Sequence, residues 1–229
     1  MTSAPQVTRV ADAAELAAAL GPRPEHGRAI ALIGGADRMD GAATEAIEQF
    51  FANLAFAVDG LGASLVDGGT DSGVMRLIGA ARSRAEGSFR LIGVAPAGTL
   101  ERDSRTGHPI RLAEDHPEII LVPGDRFGDE TASLFAAADY LGSGGAATIV
   151  VNGGRLTFDE AVQRMTSGRT VIAVAGTGRA ADVLAGGPVI EGIGPLAADL
   201  VAGPLLRVVP LTLDVAEIAA TLESSFAEG

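Results

Sequence analysis

The sequence predicts an α/β fold, a doubly wound, mainly parallel sheet with helices on both faces. Short apolar runs such as residues 29–33 are continuous rather than alternating, which is typical of strands that are covered on both sides. Three such runs lead into a glycine-rich turn and then into a helical pattern, and these turns begin at Gly68, Gly153 and Gly176. With 229 residues, of which 47% are hydrophobic, the chain can bury a large core, so we expect one domain over residues 1–229.

The amino-terminal half alternates helices and strands that are ended by glycine or proline. An Ala-rich helix stops at the Gly/Pro break of residues 21–24, the first strand stops at Gly34 and Gly35, and Pro96 stops the third strand. In order, we expect a helix at 11–20, a strand at 29–33, a helix at 42–58, a strand at 63–66, a helix that ends near 84 and a strand at 91–95.

The carboxyl-terminal half continues the alternation after a polar loop at residues 97–115. This loop is longer than the ~12–15 residues of a plain connection, and loops of that length are usually functional or mobile. The sequence alone does not show whether this one closes over a ligand. In order, we then expect a strand at 118–122, a helix at 129–140, a strand at 147–151, a helix after Gly154, a strand at 171–174, a helix at 180–185 and a late edge strand at 205–209. Asp214 begins a last helix with a capping signature, because it precedes Glu217 by three residues.

The composition excludes several kinds of chemistry. All 17 basic residues are Arg, so there is no lysine for a Schiff base, a pyridoxal-phosphate anchor or a Walker-type phosphate loop. The chain has no cysteine, which removes thiol nucleophiles, disulfides, iron–sulfur clusters and Cys-ligated zinc. His26, His108 and His116 share no metal-ligand spacing, so we expect no metal site.

The charge of the chain argues against polyanionic partners. A net charge of −12 and a pI near 4.6 repel nucleic acid and anionic membranes. The first residues lack the apolar stretch of a secretory signal, and no run approaches the ~18 apolar residues of a membrane span. We therefore expect a cytoplasmic protein that binds neither nucleic acid nor membrane, and the abundance of Ala, Gly and Arg suggests a bacterium with a GC-rich genome.

The glycine turns predict a crevice that binds an anion, and we expect a ligand that carries phosphate. In a parallel sheet the carboxyl ends of the strands share one edge, where helix amino termini and free backbone N–H groups face a common crevice. Gly68, Gly69 and Gly73 would let the backbone approach a diphosphate. Thr70 and Ser72 could donate hydrogen bonds to it. The alternative is an ordinary strand-to-helix turn with Ser72 as its N-cap.

Charged residues of the turns have alternative partners. Arg179, at the start of a helix, could fork onto a phosphate, or it could form an ordinary salt bridge to Asp182 or another acid. Arg155 could approach the same ligand, although an exposed arginine in a turn usually has no special role. Asp71 would repel phosphate, so we place it on a ribose hydroxyl or on backbone amides. The predicted ligand- or phosphate-binding residues are Gly34, Gly35, Gly68, Gly69, Thr70, Asp71, Ser72, Gly73, Gly153, Gly154, Arg155, Thr157, Gly176, Thr177, Gly178 and Arg179.

Several ordered motifs carry a family resemblance. The spacing Gly68-Gly69-x-x-x-Gly73-Val74-Met75, followed by Gly153-Gly154-x-x-Thr157-x-x-Glu160, resembles the paired motifs of the SLOG (LOG/DprA-like) superfamily, whose Rossmann-like domains bind nucleotides and nucleotide sugars. Residues 69–75, 92–96, His116 before 119–122, and 176–185 are similar, in the same order, to the cytosolic amino-terminal region of TRPM channels. The chain therefore resembles a free-standing prokaryotic protein of that branch, called LSDAT. The resemblance covers about residues 29–185 and leaves out a carboxyl-terminal strand and helix at about 205–226.

The resemblance implies a nucleotide-type ligand and a homodimer. In relatives the crevice receives NAD-derived or ADP-ribose-like signals, whereas the LOG branch hydrolyses the N-glycosidic bond of nucleoside monophosphates. Our leading hypothesis is a module that binds or senses an NAD- or ADP-ribose-like ligand and requires no cofactor. A structural or oligomerisation module that has lost its ligand is a further alternative, because a sensor usually needs an effector domain and the sequence shows none.

Glu160 distinguishes the sensor hypothesis from the enzyme hypothesis. A carboxylate near the anomeric carbon could stabilise an oxocarbenium-like transition state or orient water, as a phosphoribohydrolase needs. Residues 157–160 also have the pattern of a capping box, in which the glutamate only reaches back to an amide. The chain departs from the LOG pattern at Asn152 and Leu156, and residues 130–134 replace the stretch that carries an Arg in that branch. These departures favour binding over catalysis.

Overall fold

A computed structural model describes residues 4–35, 41–101 and 108–227, and its centre is a parallel sheet. The strands of the described residues are β1 (Gln6–Arg9), β2 (Ala29–Gly34), β3 (Ser64–Asp67), β4 (Leu91–Pro96), β5 (Glu118–Val122), β6 (Ala146–Val151), β7 (Thr170–Ala175) and β8 (Leu206–Pro210). They form one sheet in the order β1-β5-β4-β3-β2-β6-β7-β8, in which every neighbouring pair is parallel. The predicted α/β fold is confirmed.

Helices cover both faces of this sheet. They are α1 (Ala13–Leu20), α2 (Gly41–Gly60), α3 (Gly73–Arg84), α4 (Thr131–Leu141), α5 (Arg155–Thr166), α6 (Arg179–Leu184), α7 (Ala198–Ala202) and α8 (Val215–Phe226). One core layer joins the sheet to α1, α4, α5 and α6, and the other joins it to α2, α3 and α8. Along β2, Ala31 and Ile33 belong to the first layer and Ile30 and Leu32 to the second, because successive residues of a strand point to opposite faces. No described helix has both the length and the apolar character needed to cross a bilayer.

The strand order reverses between β2 and β6, and this reversal opens a crevice. From β2 the chain proceeds through α2 to β3 on one side, whereas from β6 it proceeds through α5 to β7 on the other side. The helices α2 and α5 lie in opposite layers, so they diverge at the carboxyl ends of β2 and β6. Open α/β sheets bind ligands at such a switch point.

The late elements agree with the sequence pattern. β8 pairs only with β7 and lies at the sheet edge, as predicted. The helix α8 begins with the predicted capping box: the Glu217 amide donates to Asp214 Oδ1 at 2.9 Å, and the Asp214 amide donates to Glu217 Oε2 at 2.9 Å. Both interactions are local, and this explains why the sequence reveals them.

Two short elements are not predicted from the sequence. β1 pairs with β5 at the other edge of the sheet and is largely exposed, so it lacks the continuous apolar run that identifies the buried strands. The helix α7 has only five residues, too few to show a helical period. β1 depends on a partner strand that is distant in sequence, and α7 is little more than a single helical turn.

The long loop at 97–115 is described in part. It begins with a 3-10 helix at Ala97–Leu100, and its central residues 102–107 lie outside the described residues. Its returning limb lies along the first glycine turn. The Asp71 amide donates to the Arg111 carbonyl oxygen at 2.8 Å, and the Ala113 amide donates to the Gly69 carbonyl oxygen at 3.0 Å. The returning limb of the loop is therefore tied to the first glycine turn by backbone hydrogen bonds.

Candidate functional site

A cavity of about 330 Å³ lies at the switch point, and we call it the switch-point cavity. Its walls are the carboxyl end of β2, the turn before α3, the first turns of α4 and α5, and the start of α6. Its volume falls within the ~300–1,000 Å³ of small-molecule sites. The lining residues are Leu32, Ile33, Gly34, Gly35, Gly68, Thr70, Ser72, Gly73, Met75, Phe127, Glu130, Leu134, Gly154, Arg155, Leu156, Thr157, Glu160 and Arg179.

The cavity gathers many of the predicted site residues, although they are far apart in sequence. Those that line it are Gly34, Gly35, Gly68, Thr70, Ser72, Gly73, Gly154, Arg155, Thr157, Glu160 and Arg179. Those that do not line it are Gly69, Asp71, Gly153, Gly176, Thr177 and Gly178. The residues of the second group lie within the same turns, where several of them hold the backbone in place.

The first glycine turn is shaped by backbone that only glycine accommodates well. Gly69 has φ of +61°, and a Cβ on it would lie 2.7 Å from the Cα of Gly93 in β4. The turn can therefore pack directly on the neighbouring strand. Ser72 is the N-cap of α3 by position, but its side chain caps no amide; its hydroxyl lies 3.1 Å from that of Thr70. Both residues line the cavity at the amino terminus of α3.

A buried acid–imidazole pair supports the first turn from behind. His116 Nε2 lies 2.9 Å from both carboxylate oxygens of Asp67, and both side chains are fully buried. Asp67 also accepts the Gly69 amide at 2.8 Å. His116 therefore ties the end of the long loop to the turn.

The second and third turns are joined to each other by Asn152. Its side-chain Nδ2 donates to the Thr177 carbonyl oxygen at 2.6 Å, and its Oδ1 accepts the Gly153 backbone amide at 2.7 Å. The backbone amide of Asn152 donates to the Thr177 hydroxyl at 2.8 Å. Thr177 is buried, so its hydroxyl serves this connection. Asn152 has φ of +55°, a conformation that asparagine tolerates better than most residues. The departure from the LOG pattern at this position thus has a structural role.

The two arginines at the cavity differ in their partners. Arg155 bonds both carboxylate oxygens of Asp159, at 2.9 and 2.8 Å, and the Gly192 carbonyl oxygen at 3.1 Å. Arg179 forms no ion pair with any described residue, and Asp182 accepts the Gly176 amide at 2.7 Å. The alternative of an Arg179–Asp182 salt bridge is therefore wrong, and the Arg179 guanidinium is available to an anion.

Two glutamates form one side of the cavity, and we call Glu130 and Glu160 the acidic wall. Thr131 in α4 donates its hydroxyl to Glu160 Oε1 at 2.5 Å, and the Gly128 amide donates to Glu130 Oε2 at 2.7 Å. Burial raises the pKa of Glu160 to about 7; the Thr131 hydrogen bond opposes this rise, and the charge of Glu130 adds to it. Burial also raises the pKa of Glu130.

The capping-box alternative for residues 157–160 is wrong. The helix α5 begins at Arg155 with Gly154 as N-cap, so Thr157 already lies inside the helix. The side chain of Thr157 packs at the position that a Cβ of Gly153 would occupy, at 2.5 Å. Glu160 bonds the Thr131 hydroxyl on another helix and faces the cavity. The glutamate is thus left for another role than capping.

Sequence reasoning did not identify several lining residues. They are Leu32, Ile33, Met75, Phe127, Glu130, Leu134 and Leu156. Glu130 and Leu134 are four residues apart at the start of a helix and therefore share one face, but nothing in the sequence shows that this face meets the switch point. Among the side chains that the structure describes, no group of three or more His, Cys, Asp or Glu could hold a metal ion.

Comparisons with known proteins give one matching family model and solved structures of a similar fold. The model described as "SLOG in TRPM, prokaryote" (LSDAT_prok) matches residues 28–219. The chain is similar to the X-ray structure of TM1055, a structural genomics target, with 19% identity over 86% of this chain and 99% of that one, at a TM-score of 0.57.

It is also similar to the molybdenum cofactor carrier protein MCP from Chlamydomonas reinhardtii, with 15% identity over 88% of this chain and 99% of that one, at a TM-score of 0.56. At these identities the two structures show a common fold. No protein of curated function matches the chain.

Proposed function

This chain belongs to the LSDAT_prok family, SLOG in TRPM of prokaryotes, and on that premise we propose that it binds or senses a nucleotide or nucleotide sugar of the NAD or ADP-ribose type. The observation that carries the proposal is the convergence of two helix amino termini and an arginine on one cavity. The starts of α3 and α5 line it together with Arg179. Both helices have 12 residues, so each presents unpaired amides and the positive end of its dipole to an anion.

The size and place of the cavity support a ligand of nucleotide type. Its volume of about 330 Å³ is at the lower end of the range for small-molecule sites, which favours a ligand that places one phosphate-bearing unit inside. The fold also serves a protein described as a cofactor carrier in Chlamydomonas, which is in keeping with binding as a role of such a sheet. A homodimer and a cytoplasmic location remain expectations of the sequence.

Isothermal titration with ADP-ribose, NAD and AMP tests the proposal. We expect at least one of them to bind, and Arg179→Gln to weaken its affinity by about 10-fold or more, because a hydrogen bond to a charged group contributes about 1.5–3 kcal/mol. Arg84→Gln is the control, since Arg84 lies at the opposite end of α3 and should leave the affinity unchanged. The absence of heat for all three ligands at millimolar concentration would contradict nucleotide binding.

A second candidate function is an N-glycosidase that acts on nucleoside monophosphates. It is favoured by the place of Glu160, whose buried carboxyl group faces the cavity and, with a pKa of about 7, exchanges a proton near neutral pH. In this reaction the bond from the anomeric carbon to the base breaks, water adds to the sugar and a proton passes to the base. Glu160 would orient the water or stabilise the positive charge that develops on the sugar.

Release of free adenine from AMP is the measurement for this function. If the chain is an enzyme, Glu160→Gln should lower the rate by about 100-fold or more, because a positioned acid or base usually contributes that much. The variant should lose no thermal stability. A wild-type protein that releases no adenine would remove the enzyme hypothesis. If it also bound no nucleotide, the structural module would be favoured.

A further inference from the structure

The switch-point cavity is chemically divided. The turns after β3, β6 and β7 contribute amides, hydroxyls and Arg179, which favour an anion. The acidic wall comes from other segments: Glu130 immediately precedes α4, and Glu160 lies within α5, beyond its first turn. A ligand that fills the cavity therefore meets two environments with opposite preferences for charge.

The acidic wall is strongly withdrawn from water. Glu130 is 7% exposed and Glu160 is 9% exposed. Leu134 and Leu156 line the cavity beside them, so the surroundings offer little compensation for negative charge. Glu160 Oε2 accepts no hydrogen bond from the described residues, because the hydroxyl of Thr131 occupies only Oε1. An acceptor is thus left for a ligand group.

Carboxylate chemistry determines which ligand groups suit this wall. The pKa of Glu160 is about 7, so above that pH its carboxylate is mostly ionised. Ionised carboxylates only accept hydrogen bonds, so they favour hydroxyl or amino groups. A phosphate next to them would face like charge in a poorly solvated place, where such repulsion costs several kcal/mol. In dinucleotide-binding folds a carboxylate selects a free ribose hydroxyl over a phosphorylated one for the same reason.

We propose that Glu130 is a specificity-determining residue: with Glu160 it accepts hydrogen bonds from the hydroxyl or amino groups of the uncharged part of the ligand, and it rejects a second phosphate there. This inference rests on the proposed function, because it assumes a nucleotide whose 5′-phosphate lies at the glycine turns. The ligand class is accordingly a nucleotide with free ribose hydroxyls. The 2′- or 3′-phosphorylated forms are excluded.

Titration at pH 8 with AMP, adenosine 2′,5′-bisphosphate and adenosine 3′,5′-bisphosphate tests the assignment, because Glu160 is mostly ionised above its pKa of about 7. We expect the wild type to bind AMP at least 10-fold more tightly than either bisphosphate. Glu130→Gln keeps the shape and can still accept the Gly128 amide, so it should reduce this preference to within about 3-fold, mainly by improved binding of the bisphosphates. Glu160→Gln should reduce the preference in the same direction.

The control variant is Glu48→Gln, on an exposed position of α2 that does not line the cavity, and it should keep the wild-type preference. Equal affinities of the wild type for AMP and the bisphosphates would overturn the role of Glu130 and leave nucleotide binding intact. Equal weakening of all three ligands by Glu130→Gln would also overturn that role, since a merely structural residue gives this result. If none of the three binds, this inference fails, and the proposed function fails with it only when ADP-ribose and NAD also give no heat.

Discussion

Replacing Gly34 with alanine should lower the free energy of unfolding by about 3 kcal/mol or more, because the new methyl group has no space. A Cβ on Gly34 would lie 2.1 Å from the carbonyl oxygen of Val151, and a backbone atom cannot move aside as a side chain can. Gly34 pairs with Val151 where β2 meets β6, and the same carbonyl oxygen accepts the Gly35 amide at 3.3 Å. The substitution would force the two strands apart at the switch point.

Gly35→Ala is the matched control for this prediction. Gly35 also lines the cavity, but the nearest atom to its Cβ would be the Cα of Gly153 at 3.6 Å, an ordinary contact distance. We expect the melting temperature to fall by roughly 6–12 °C for Gly34→Ala and by no more than ~2 °C for Gly35→Ala, from the usual relation for a chain of this size. Equal melting temperatures for the two variants would show that β2 and β6 separate easily.

The second large effect concerns Glu160 and pH. Its pKa is about 7 in the folded chain against 4.5 for the unperturbed group, so the folded state holds the proton more tightly than the unfolded state. Ionisation therefore weakens the folded state as the pH rises from about 4.5 to 7, and above about 7 the full cost of about 3 kcal/mol applies. Glutamine carries no charge at any pH and can still accept the Thr131 hydrogen bond. Glu160→Gln should thus be more stable than the wild type by about 3 kcal/mol at pH 8.

Urea unfolding at pH 5 and pH 8 provides the measurement. At pH 5 both forms of residue 160 are largely uncharged in the folded state, so the gain should fall below about 1 kcal/mol. Glu48→Gln, at an exposed position, should show no gain at either pH. A gain from Glu160→Gln that is the same at both pH values would mean that the carboxyl group is not held in its neutral form by burial.

A gain in stability from Glu160→Gln at pH 8 would agree with a functional position for this glutamate. Residues that face a ligand are often placed where they weaken the fold, and a stability gain on replacement is the usual sign. The open Oε2 of Glu160 and the neighbouring charge of Glu130 point to the same interpretation. Stability and ligand titration on the same variants therefore test one arrangement by two independent measurements.

Local patterns made the regular elements predictable. The buried strands, such as β2 and β6, show continuous apolar runs, and glycine or proline ends several of them. The capping box of α8 depends on two residues three positions apart. In contrast, β1 is held in the sheet by β5, more than a hundred residues later, and its own residues are largely exposed. A strand that depends on such a distant partner leaves little trace in its own segment.

The same distinction applies to the candidate site. The glycine turns were recognisable because a tight turn restricts the residues that can form it. The roles of particular side chains were not, because each depends on a partner from another segment. Thr157 had the pattern of a cap and lies inside a helix, and Asn152 looked like a mere departure from a motif and joins two turns. Glu130 became a candidate only when α4 was placed beside the cavity.

By itself, the sequence determined the order of the buried strands, the glycine turns and the longer helices, the lack of lysine and cysteine chemistry, and the expectation of an anionic ligand. These follow from residue types and short spacings, which act through local backbone preferences. Only the tertiary structure decided that the strand order reverses between β2 and β6, that Arg179 has no acidic partner among the described residues, and that two buried glutamates line the same cavity. Burial, charge compensation and shared cavities arise when distant segments pack together, so no single segment of the chain contains them.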